Sequence, residues 1–373
     1  MIIKVLEVSL LSSIIGNKLK VNLFGESHGD GIGVVIDGLP PGIKLNLDSI
    51  NMQMKRRAPG KSDFSSARRE KDSYKILSGF FESKTTGTPL CAVIFNEDVK
   101  SEDYSVLKNK MRPGHSDYSG HVKYQGFNDY RGGGHFSGRL TAPLLFAGSI
   151  AMQLLEEKGI YIVSRIKSIY NIEDDTPAVL SVNEIQALKN ISFPVISEDK
   201  LNQMQQAITS AKNIGDSLGG VAETYIINIP SGYGEPFFDS VESRLSHMIF
   251  SIPAVKGIEF GAGFKITELT GSEANDEFYI SKKKIMTRTN NSGGLIGGIT
   301  NGMPIIFRTA IKPTASVSVL QNTVDISTMK NTTLSITGRH DPCIVPRALP
   351  VIEGAAALVM LDLMLERDGE LWT

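Results

Sequence analysis

Five short segments of the sequence combine glycine with at least two of histidine, serine and arginine, the residue types that move protons and bind anions. They are "FGESHGDGIG" (24–33), "KRRAPGKSDFSSARREKDSYK" (55–75), "MRPGHSDYSG" (111–120), "RGGGHFSGR" (131–139) and "TGRHDPC" (337–343). Ser27 and His28 lie in a glycine-rich turn after a strand-like run, so a rigid support can hold them in a cleft. Asp341 lies beside cationic residues and before a proline that restricts it to extended geometry, as suits a positioned base. For each of these residues, an ordinary surface turn is the alternative interpretation.

The arginines in these segments indicate an anionic ligand. The segment 55–75 has eight basic residues against three acidic ones, a pattern that also fits a solvated charged face. Arginine nevertheless presents a fork of donors that matches phosphate and carboxylate, whereas a merely soluble surface would accept lysine equally. Four of the eight are Arg56, Arg57, Arg68 and Arg69. The later segments add Arg112, His115, Ser137 and Arg139, which we expect to line one pocket.

Glycine-rich stretches indicate where backbone approaches a ligand. The triplet 132–134 needs unusual dihedrals or faces a bulky group, unless it is a flexible surface turn. The stretch "NNSGGLIGGITNG" (290–302) exposes backbone amides, and "KPTASVS" (312–318) adds lysine and hydroxyl donors, both suited to phosphate. If these are more than ordinary loops, the chain has two anion sites, one for a substrate and one for a cofactor.

Composition excludes several broad classes of function. The 39 basic and 40 acidic residues give a net charge of -1, so no global field favours nucleic acid or an anionic membrane. Cys91 and Cys343 lie far apart and form no metal-type or redox pair, which suits a reduced cytosolic enzyme. The apolar stretch from Leu140 contains Pro143 and falls short of the roughly 20 residues of a membrane helix, so we expect no transmembrane span.

Periodicity predicts alternating strands and helices in one α/β domain, since no linker-like segment divides the chain. Strands are predicted at 20–24, 33–37, 90–95, 223–229 and 303–311. Helices are predicted at 143–157, 199–213 and 350–366, with a further one that follows an Asp239–Glu242 capping box and ends at Pro253. The stretch 29–42 resembles 215–236 in its glycine turns and valine-led strand, through either internal duplication or chance similarity of turn chemistry.

Several long motifs together resemble those of the chorismate synthase family. "FGESHGDGIG", "RRAPGKS", "MRPGHSDYSG", "DYRGGGHFSGR", "SIPAVKGIEFGAGF", "SGGLIGGITNGMPII", "KPTAS" and "GRHDPC" occur in the family's order, over about Gly16 to Leu365. The resemblance implies an α/β protein of the α+β type, a single large domain (16–373) of helices layered with antiparallel β-sheets. Residues 1–15 lack a family match and are expected to be an N-terminal extension outside the core.

The resemblance also implies an activity, a cofactor and an assembly. The family eliminates phosphate and a ring hydrogen from 5-enolpyruvylshikimate 3-phosphate in an anti-1,4 sense to give chorismate. This lyase reaction is the last common step of the shikimate pathway to aromatic amino acids, and it requires reduced FMN without net redox change. NADPH would serve only as a source of electrons, through the chain's own flavin reductase activity or a separate flavin reductase. A cytoplasmic homotetramer is expected, with no metal, nucleic acid or membrane partner.

The matching motifs also imply which residues of this chain form the site. The resemblance assigns catalysis to His28, His115, Asp341, Ser27 and Ser137, and substrate binding to His28, Arg57, Arg112, Arg139 and Arg339. It assigns FMN contacts to His135, Phe136, Ser137, Pro253, Ala254, Gly297, Lys312, Pro313, Thr314, Ala315, Ser316 and Arg339. Two departures stand out: His135 and Phe136 replace the arginine and serine of many relatives, and Asp63 replaces an anion-binding arginine. Lys61 and Arg68 are the candidates to compensate at Asp63.

Two rival interpretations remain at the level of sequence. A flavin reductase or NADPH-dependent oxidoreductase would also use glycine turns and basic loops, but it would consume a nicotinamide. An RNA-binding protein would use the Arg-Gly stretch and the arginine run, although the near-neutral charge and scattered catalytic residue types disfavour it.

Overall fold

The computed structural model describes residues 13–60, 72–96, 107–175, 182–336 and 340–369. In these ranges the strands are β1 Ile14–Ile15, β2 Lys20–Gly25, β3 Gly31–Asp37, β4 Tyr74–Ser78, β5 Phe80–Phe81, β6 Lys84–Thr85, β7 Leu90–Phe95, β8 Tyr161–Ile169, β9 Ile172–Glu173, β10 Gly220–Ile227, β11 Val255–Phe260, β12 Phe278–Ser281, β13 Lys284–Thr287, β14 Leu295–Ile296, β15 Ile299–Thr300, β16 Ile305–Ile311, β17 Gln321–Asp325 and β18 Lys330–Leu334. The α-helices are α1 Leu47–Arg57, α2 Asp117–Lys123, α3 Thr141–Glu157, α4 Val182–Leu188, α5 Glu198–Asn213, α6 Val241–Phe250, α7 Gly271–Ala274 and α8 Val345–Asp368. Short 3-10 helices cover Gly138–Leu140 and Gly263–Glu268, and the loop Arg131–Phe136 contains 3-10 turns that its positive-φ glycines interrupt.

Two five-stranded antiparallel sheets form the framework. The first has the order β1-β2-β3-β7-β4, and the second has the order β11-β16-β10-β8-β9. Residues of β16 alternate between buried and half-buried, as expected of a strand with one face on the core. Four two-stranded hairpins complete the described strands: β5–β6, β12–β13, β14–β15 and β17–β18.

A layer of helices separates the two sheets. Helix α3 packs on β2, β3 and β7 of the first sheet, α8 packs on β8 and β10 of the second, and α3 and α8 pack on each other. Both helices are apolar around most of their circumference, which suits burial on every side. They meet closely at Gly148 and Gly354, where a Cβ built on Gly148 would lie 2.4 Å from Cα of Gly354. The fold is therefore a sheet–helix–sheet sandwich, the layered α+β architecture that the sequence predicts.

The two central helices also meet a length and composition test for membrane spans. Gly138–Glu157 and Val345–Asp368 are long and apolar enough, but 89% and 94% of their apolar windows are buried inside the protein. Core helices of globular proteins pass the same test, so it gives only weak support for a span.

The predicted elements agree with the structure apart from their ends and one cap. All five predicted strands are present within three residues of their expected limits, as β2, β3, β7, β10 and β16. The predicted cap of α6 is wrong: Ser240, not Asp239, precedes the helix, and its hydroxyl accepts from the backbone N–H of Ser243 at 3.1 Å. The two similar stretches contain β3 and β10, each the central strand of its own sheet. Internal duplication stays a prediction.

The start of the described chain is tied to the C-terminal helix. Strand β1 pairs with β2 at the edge of the first sheet. The carboxylate of Asp362 in α8 then accepts the backbone N–H groups of Asn17, Lys18 and Leu19 at 2.7–2.8 Å. Residues 1–12 lie outside the described ranges, so the domain boundary at residue 16 remains a prediction.

Candidate functional site

The glycine triplet passes between two histidines. Gly132, Gly133 and Gly134 have positive φ values of 57°, 85° and 53°, in or near the left-handed region that glycine tolerates best. A Cβ on Gly132 would lie 2.1 Å from ring atoms of His28, and one on Gly133 would lie 3.0 Å from Cε1 of His115. Because consecutive Cα atoms are only about 3.8 Å apart, the two rings lie within roughly 12 Å of each other. Glycine here allows both imidazoles to contact bare backbone.

The His28 turn is fixed by backbone and amide hydrogen bonds. Nδ1 of His28 lies 3.2 Å from Oγ of Ser27, and both residues are buried. The N–H of Ser27 donates to the carbonyl of Gly134 at 3.2 Å, which joins this turn to the triplet. Asn96, at the end of β7, donates through Nδ2 to the carbonyls of Glu26 and Gly29 at 3.0 and 2.8 Å. The turn is thus held in place from two sides.

A buried carboxylate joins two of the predicted substrate arginines. Asp72 accepts from Nη1 of Arg57 at 2.5 Å and, through its other oxygen, from Nη1 of Arg139. Burial alone would raise the pKa of Asp72, but the charges and hydrogen bonds of the two arginines outweigh it and hold the pKa below its usual value. Arg139 also donates through Nε to Oδ1 of Asn96 at 3.2 Å, so this cluster is connected to the His28 turn.

A second carboxylate holds the third arginine and the second histidine. Asp117, the first residue of α2, accepts from Nε of Arg112 at 2.6 Å and lies 2.6 Å from Nδ1 of His115. Burial would raise the pKa of Asp117, yet its bonds to Arg112 and His115 keep the pKa far below the usual value. Nη1 of Arg112 also lies 3.4 Å from Oγ of Ser316, which brings this cluster to the segment 312–316.

The segment 312–316 borders a cleft of about 270 Å³. The cleft is lined by Pro113, Gly114, Asp216, Ser217, Lys312, Pro313, Thr314, Ala315, Val317 and Gln321. Burial and the nearby charge of Lys256 lower the pKa of Lys312, whose ammonium donates to the carbonyl of Gly114. Oγ1 of Thr314 is buried and has no hydrogen-bond partner among the residues that the structure describes.

Asp341 reaches the same region from the start of α8. Its carboxylate pairs with Arg347, and Nε of Arg347 donates to the backbone carbonyl of Arg57 at 2.8 Å. The next residue, Pro342, accepts the N–H of Leu218 at 2.8 Å, beside the cleft. Asp341 is therefore linked to the arginine cluster through Arg347 and to the border of the cleft through the backbone.

Comparisons with known proteins identify the family of the chain. The family model described as "Chorismate synthase" matches residues 19–365. The chain belongs to the chorismate synthase family. It is 48% identical over 352 residues to the chorismate synthase of Pyrococcus abyssi, with 94% of this chain and 97% of the relative covered. It is 46% identical over 355 residues to that of Dehalococcoides mccartyi, with coverages of 95% and 97%. A solved structure titled "Crystal Structure of Chorismate Synthase" matches with a TM-score of 0.75 and 29% identity, covering 95% of this chain and 94% of that one.

In this chorismate synthase family member, His135 and Phe136, two of the expected departures from the family motif, directly follow the glycine triplet. His135 is exposed, and its Nδ1 lies 2.9 Å from the carbonyl of Gly25. Phe136 packs its ring over Gly120, where a Cβ would lie 2.6 Å from Cε2 of the ring. Ser137 accepts the N–H of Arg139 at 3.3 Å and begins the next 3-10 turn. None of these contacts reaches the segment 312–316.

The remaining predicted cofactor residues fall into two places. The carbonyl of Ala254, which follows Pro253, accepts the N–H of Lys312 at 2.9 Å, so this pair adjoins the cleft. Gly297 lies in the turn between β14 and β15, beside the start of α6, whereas Pro253 follows the end of that helix. A ten-residue helix separates such points by about 15 Å, so the described contacts do not bring Gly297 to the cleft. Arg339, Lys61, Asp63, Arg68 and Arg69 lie outside the described residues.

Sequence reasoning did not find four residues that organise this site. They are Asp72, Asn96, Asp117 and Arg347, each of which holds a predicted site residue in place. Asp117 had a local signal, since a carboxylate two residues after a histidine and five after an arginine can reach both. Asp72 and Asn96 each contact Arg139 more than 40 positions away, whereas Arg347 contacts both Asp341, six positions before it, and the distant Arg57. Arg56, in contrast, points away from the cluster and pairs with Glu353 of α8.

Proposed function

We propose that this chain catalyses the elimination of phosphate from 5-enolpyruvylshikimate 3-phosphate to give chorismate, as a carbon–oxygen lyase that needs reduced FMN. The observation that carries the proposal is the placement of His28 and His115 against one glycine pair, with three buried arginines anchored around them. The substrate has one phosphate and two carboxylates, and arginine binds such groups through paired hydrogen bonds. Arg57, Arg112, Arg139 and Arg339 are the proposed substrate-binding arginines.

Two carboxylates hold the arginines in positions that suit this role. Asp72 lies between Arg57 and Arg139 and forms an ion pair with each. The three side chains together keep a net charge of +1, and both guanidinium groups are held in fixed positions. Fixed donors need less reorganisation than mobile donors when they bind an anion. They therefore stabilise the charge that develops on the departing phosphate. His28, beside Ser27, is the proposed proton donor to that phosphate.

The segment 312–316 fits the phosphate of a flavin. It offers an ammonium whose pKa is lowered by burial and Lys256, a buried hydroxyl on Thr314 without a described partner, and the hydroxyl of Ser316. An anion placed there would offset the repulsion between Lys312 and Lys256 and supply a hydrogen-bond partner for Thr314. Asp216 lies on the same cleft and disfavours an anion on its own side. Pro253 and Ala254 adjoin the segment.

Reduced FMN, when bound, supplies electron density to the substrate ring as the phosphate leaves, without net oxidation. Residues of the chain are proposed to donate and accept the protons around it. His115 is proposed to control the protonation state of the reduced flavin, and Asp341 to assist the transfer of the ring hydrogen together with Ser27 and Ser137. His135, Phe136 and Gly297 are further proposed contacts of the flavin.

A homotetramer is the proposed assembly. The hairpin β12–β13 exposes Phe278, Ile280 and Ile285 to 64%, 79% and 68%, an apolar surface of the kind that subunits bury. We propose a cytoplasmic location, and NADPH as a source of electrons only, through the chain itself or a separate flavin reductase.

Anaerobic incubation with dithionite-reduced FMN and 5-enolpyruvylshikimate 3-phosphate tests the proposal. We expect chorismate absorbance and phosphate to rise together while the flavin stays reduced. His28→Ala should slow the reaction by about 10- to 10,000-fold because it removes a proton donor. His247→Ala, which changes an exposed histidine on α6, is the matched control and should keep the wild-type rate.

Two results would contradict the proposal. Oxidation of one flavin per chorismate formed would show a redox reaction instead of an elimination. Stoichiometric NADPH consumption with no release of phosphate would favour the oxidoreductase interpretation.

A further inference from the structure

Both carboxylate oxygens of Asp117 form hydrogen bonds with neighbouring groups. Oδ1 lies 2.6 Å from Nδ1 of His115 and 2.7 Å from Nη2 of Arg112. Oδ2 accepts from Nε of Arg112 at 2.6 Å and from its backbone N–H at 3.1 Å. The Asp117 side chain is only 8% exposed, so water competes little for these bonds. One carboxylate therefore sets the positions of a proposed proton-transfer group and a proposed anion-binding group.

These contacts determine which imidazole nitrogen of His115 carries the proton. Nδ1 also lies 3.0 Å from Nη2 of Arg112, which can only donate. A hydrogen bond to Asp117 requires a proton on Nδ1, whereas a hydrogen bond from Arg112 requires a lone pair on the same atom. The contact with the carboxylate is shorter, and a hydrogen bond to an ionised acceptor is the stronger kind. Arg112 already has a partner in Asp117 for the same Nη2, so the proton belongs on Nδ1.

With Nδ1 protonated, Nε2 is the basic atom of the ring. The Nε2 edge faces the glycine triplet, since a Cβ on Gly133 would lie 3.1 Å from Nε2 and 3.0 Å from Cε1. The ring therefore presents its proton-accepting edge away from Asp117.

We propose that Asp117 is a positioning residue that sets the Nδ1–H tautomer and the orientation of His115, and that through the same carboxylate it fixes Arg112. The catalytic consequence rests on the proposed function, whereas the tautomer does not. An aspartate that holds a catalytic histidine in one tautomer is a known device, and its replacement by asparagine can reverse the tautomer because the amide can donate.

The tautomer is measured by NMR of protein with isotope-labelled histidine, at a pH at which the spectrum itself shows the ring to be neutral. The chain has six histidines, and loss of one signal in His115→Gln identifies the relevant ring. We expect the Nδ1–H form in the wild type and a shift toward Nε2–H in Asp117→Asn. An Nε2–H ring in the wild type, or the same tautomer in both proteins, would overturn the proposal. If Asp117→Asn fails to fold, Asp117→Glu is used and should keep the Nδ1–H form.

Steady-state kinetics separates the two partners of Asp117. Misorientation of His115 should lower kcat of Asp117→Asn by about 100- to 10,000-fold, with partial recovery in Asp117→Glu. A raised KM with unchanged kcat would mean that Asp117 serves Arg112 alone, which contradicts the proposal. Asp174→Asn is the matched control, since Asp174 is also a buried carboxylate that pairs with an arginine, Arg165, and accepts backbone N–H groups, from Ile196 and Ser197 at 2.9 and 3.0 Å, beside the second sheet and away from the site. A wild type that forms no chorismate would refute the proposed function, while the NMR result would still decide the tautomer.

Discussion

At the scale of single residues, the site is organised by carboxylates that contact arginines. Asp72 holds Arg57 and Arg139, Asp117 holds Arg112, and Asp341 pairs with Arg347. A buried guanidinium without a counter-charge would be costly, so each arginine that faces the site needs an internal partner before any ligand arrives. The partners also limit the positive charge, which keeps the free protein stable and leaves the site cationic overall.

Asp72→Asn should reveal this arrangement through the pH dependence of stability. Removing one charge from a buried cluster costs about 3–5 kcal/mol, so the free energy of unfolding should fall by about that amount at neutral pH. The pKa of Asp72 is lower in the folded protein, so its contribution is complete above the unfolded value near 3.9 and is lost as pH falls below it. Urea unfolding at several pH values should therefore show the gap between wild type and variant shrinking in acid.

The control for Asp72 is Asp239→Asn, because Asp239 is exposed and lies 3.7 Å from Arg244. Surface ion pairs contribute little, and this variant should track the wild type. A gap for Asp72→Asn that stays constant from neutral pH down to acid would rule out the proposed stabilisation by charge.

At the scale of elements, the loop 131–136 acts as a spacer between two histidine-bearing turns. Its backbone, not its side chains, makes the important contacts, as the close approaches of Gly132 to His28 and Gly133 to His115 indicate. The triplet could be recognised from the sequence because three glycines weaken any regular element and imply a close approach. Which groups approach could not be predicted, since His28 is more than 100 positions away in the chain.

Gly132→Ala should therefore act on His28 through steric contact. The added Cβ would lie 2.1 Å from ring atoms of His28 and 2.9 Å from Oγ of Ser27, which forces the imidazole to move. We expect chorismate formation to fall by about 100- to 10,000-fold while the circular dichroism spectrum is retained. Gly159→Ala is the matched control: its φ of 76° imposes similar backbone strain, but no atom lies within 4 Å of the new Cβ. Similar rates for the two variants would show that contact with His28 is unimportant.

At the scale of the whole molecule, alternation and apolar content were enough to predict the central strands and core helices. Strand β8 was not predicted from the sequence, because Arg165 and Lys167 interrupt its apolar pattern. Arg165 is fully buried and forms ion pairs with Glu223 and Asp174, partners that only the fold brings together. The same reason explains why Asp72 and Asn96 could not be assigned to the site from sequence. Local patterns predict elements, whereas long-range charge pairing requires the assembled sheets.

The contact between α3 and α8 supports both sheets, so its disruption should affect the molecule as a whole. In an ordinary helix, glycine to alanine is favourable by about 1 kcal/mol. At Gly148 the new Cβ would lie 2.4 Å from Cα and 2.6 Å from the carbonyl oxygen of Gly354, and backbone atoms cannot move aside cheaply. Overpacking of this kind costs about 1–3 kcal/mol, so Gly148→Ala should lower the thermal midpoint by a few degrees. Gly271→Ala, which adds a Cβ with no atom within 4 Å, should leave the midpoint unchanged. A higher midpoint for Gly148→Ala would mean that the two helices can separate at little cost, and that the sheets do not depend on this close contact.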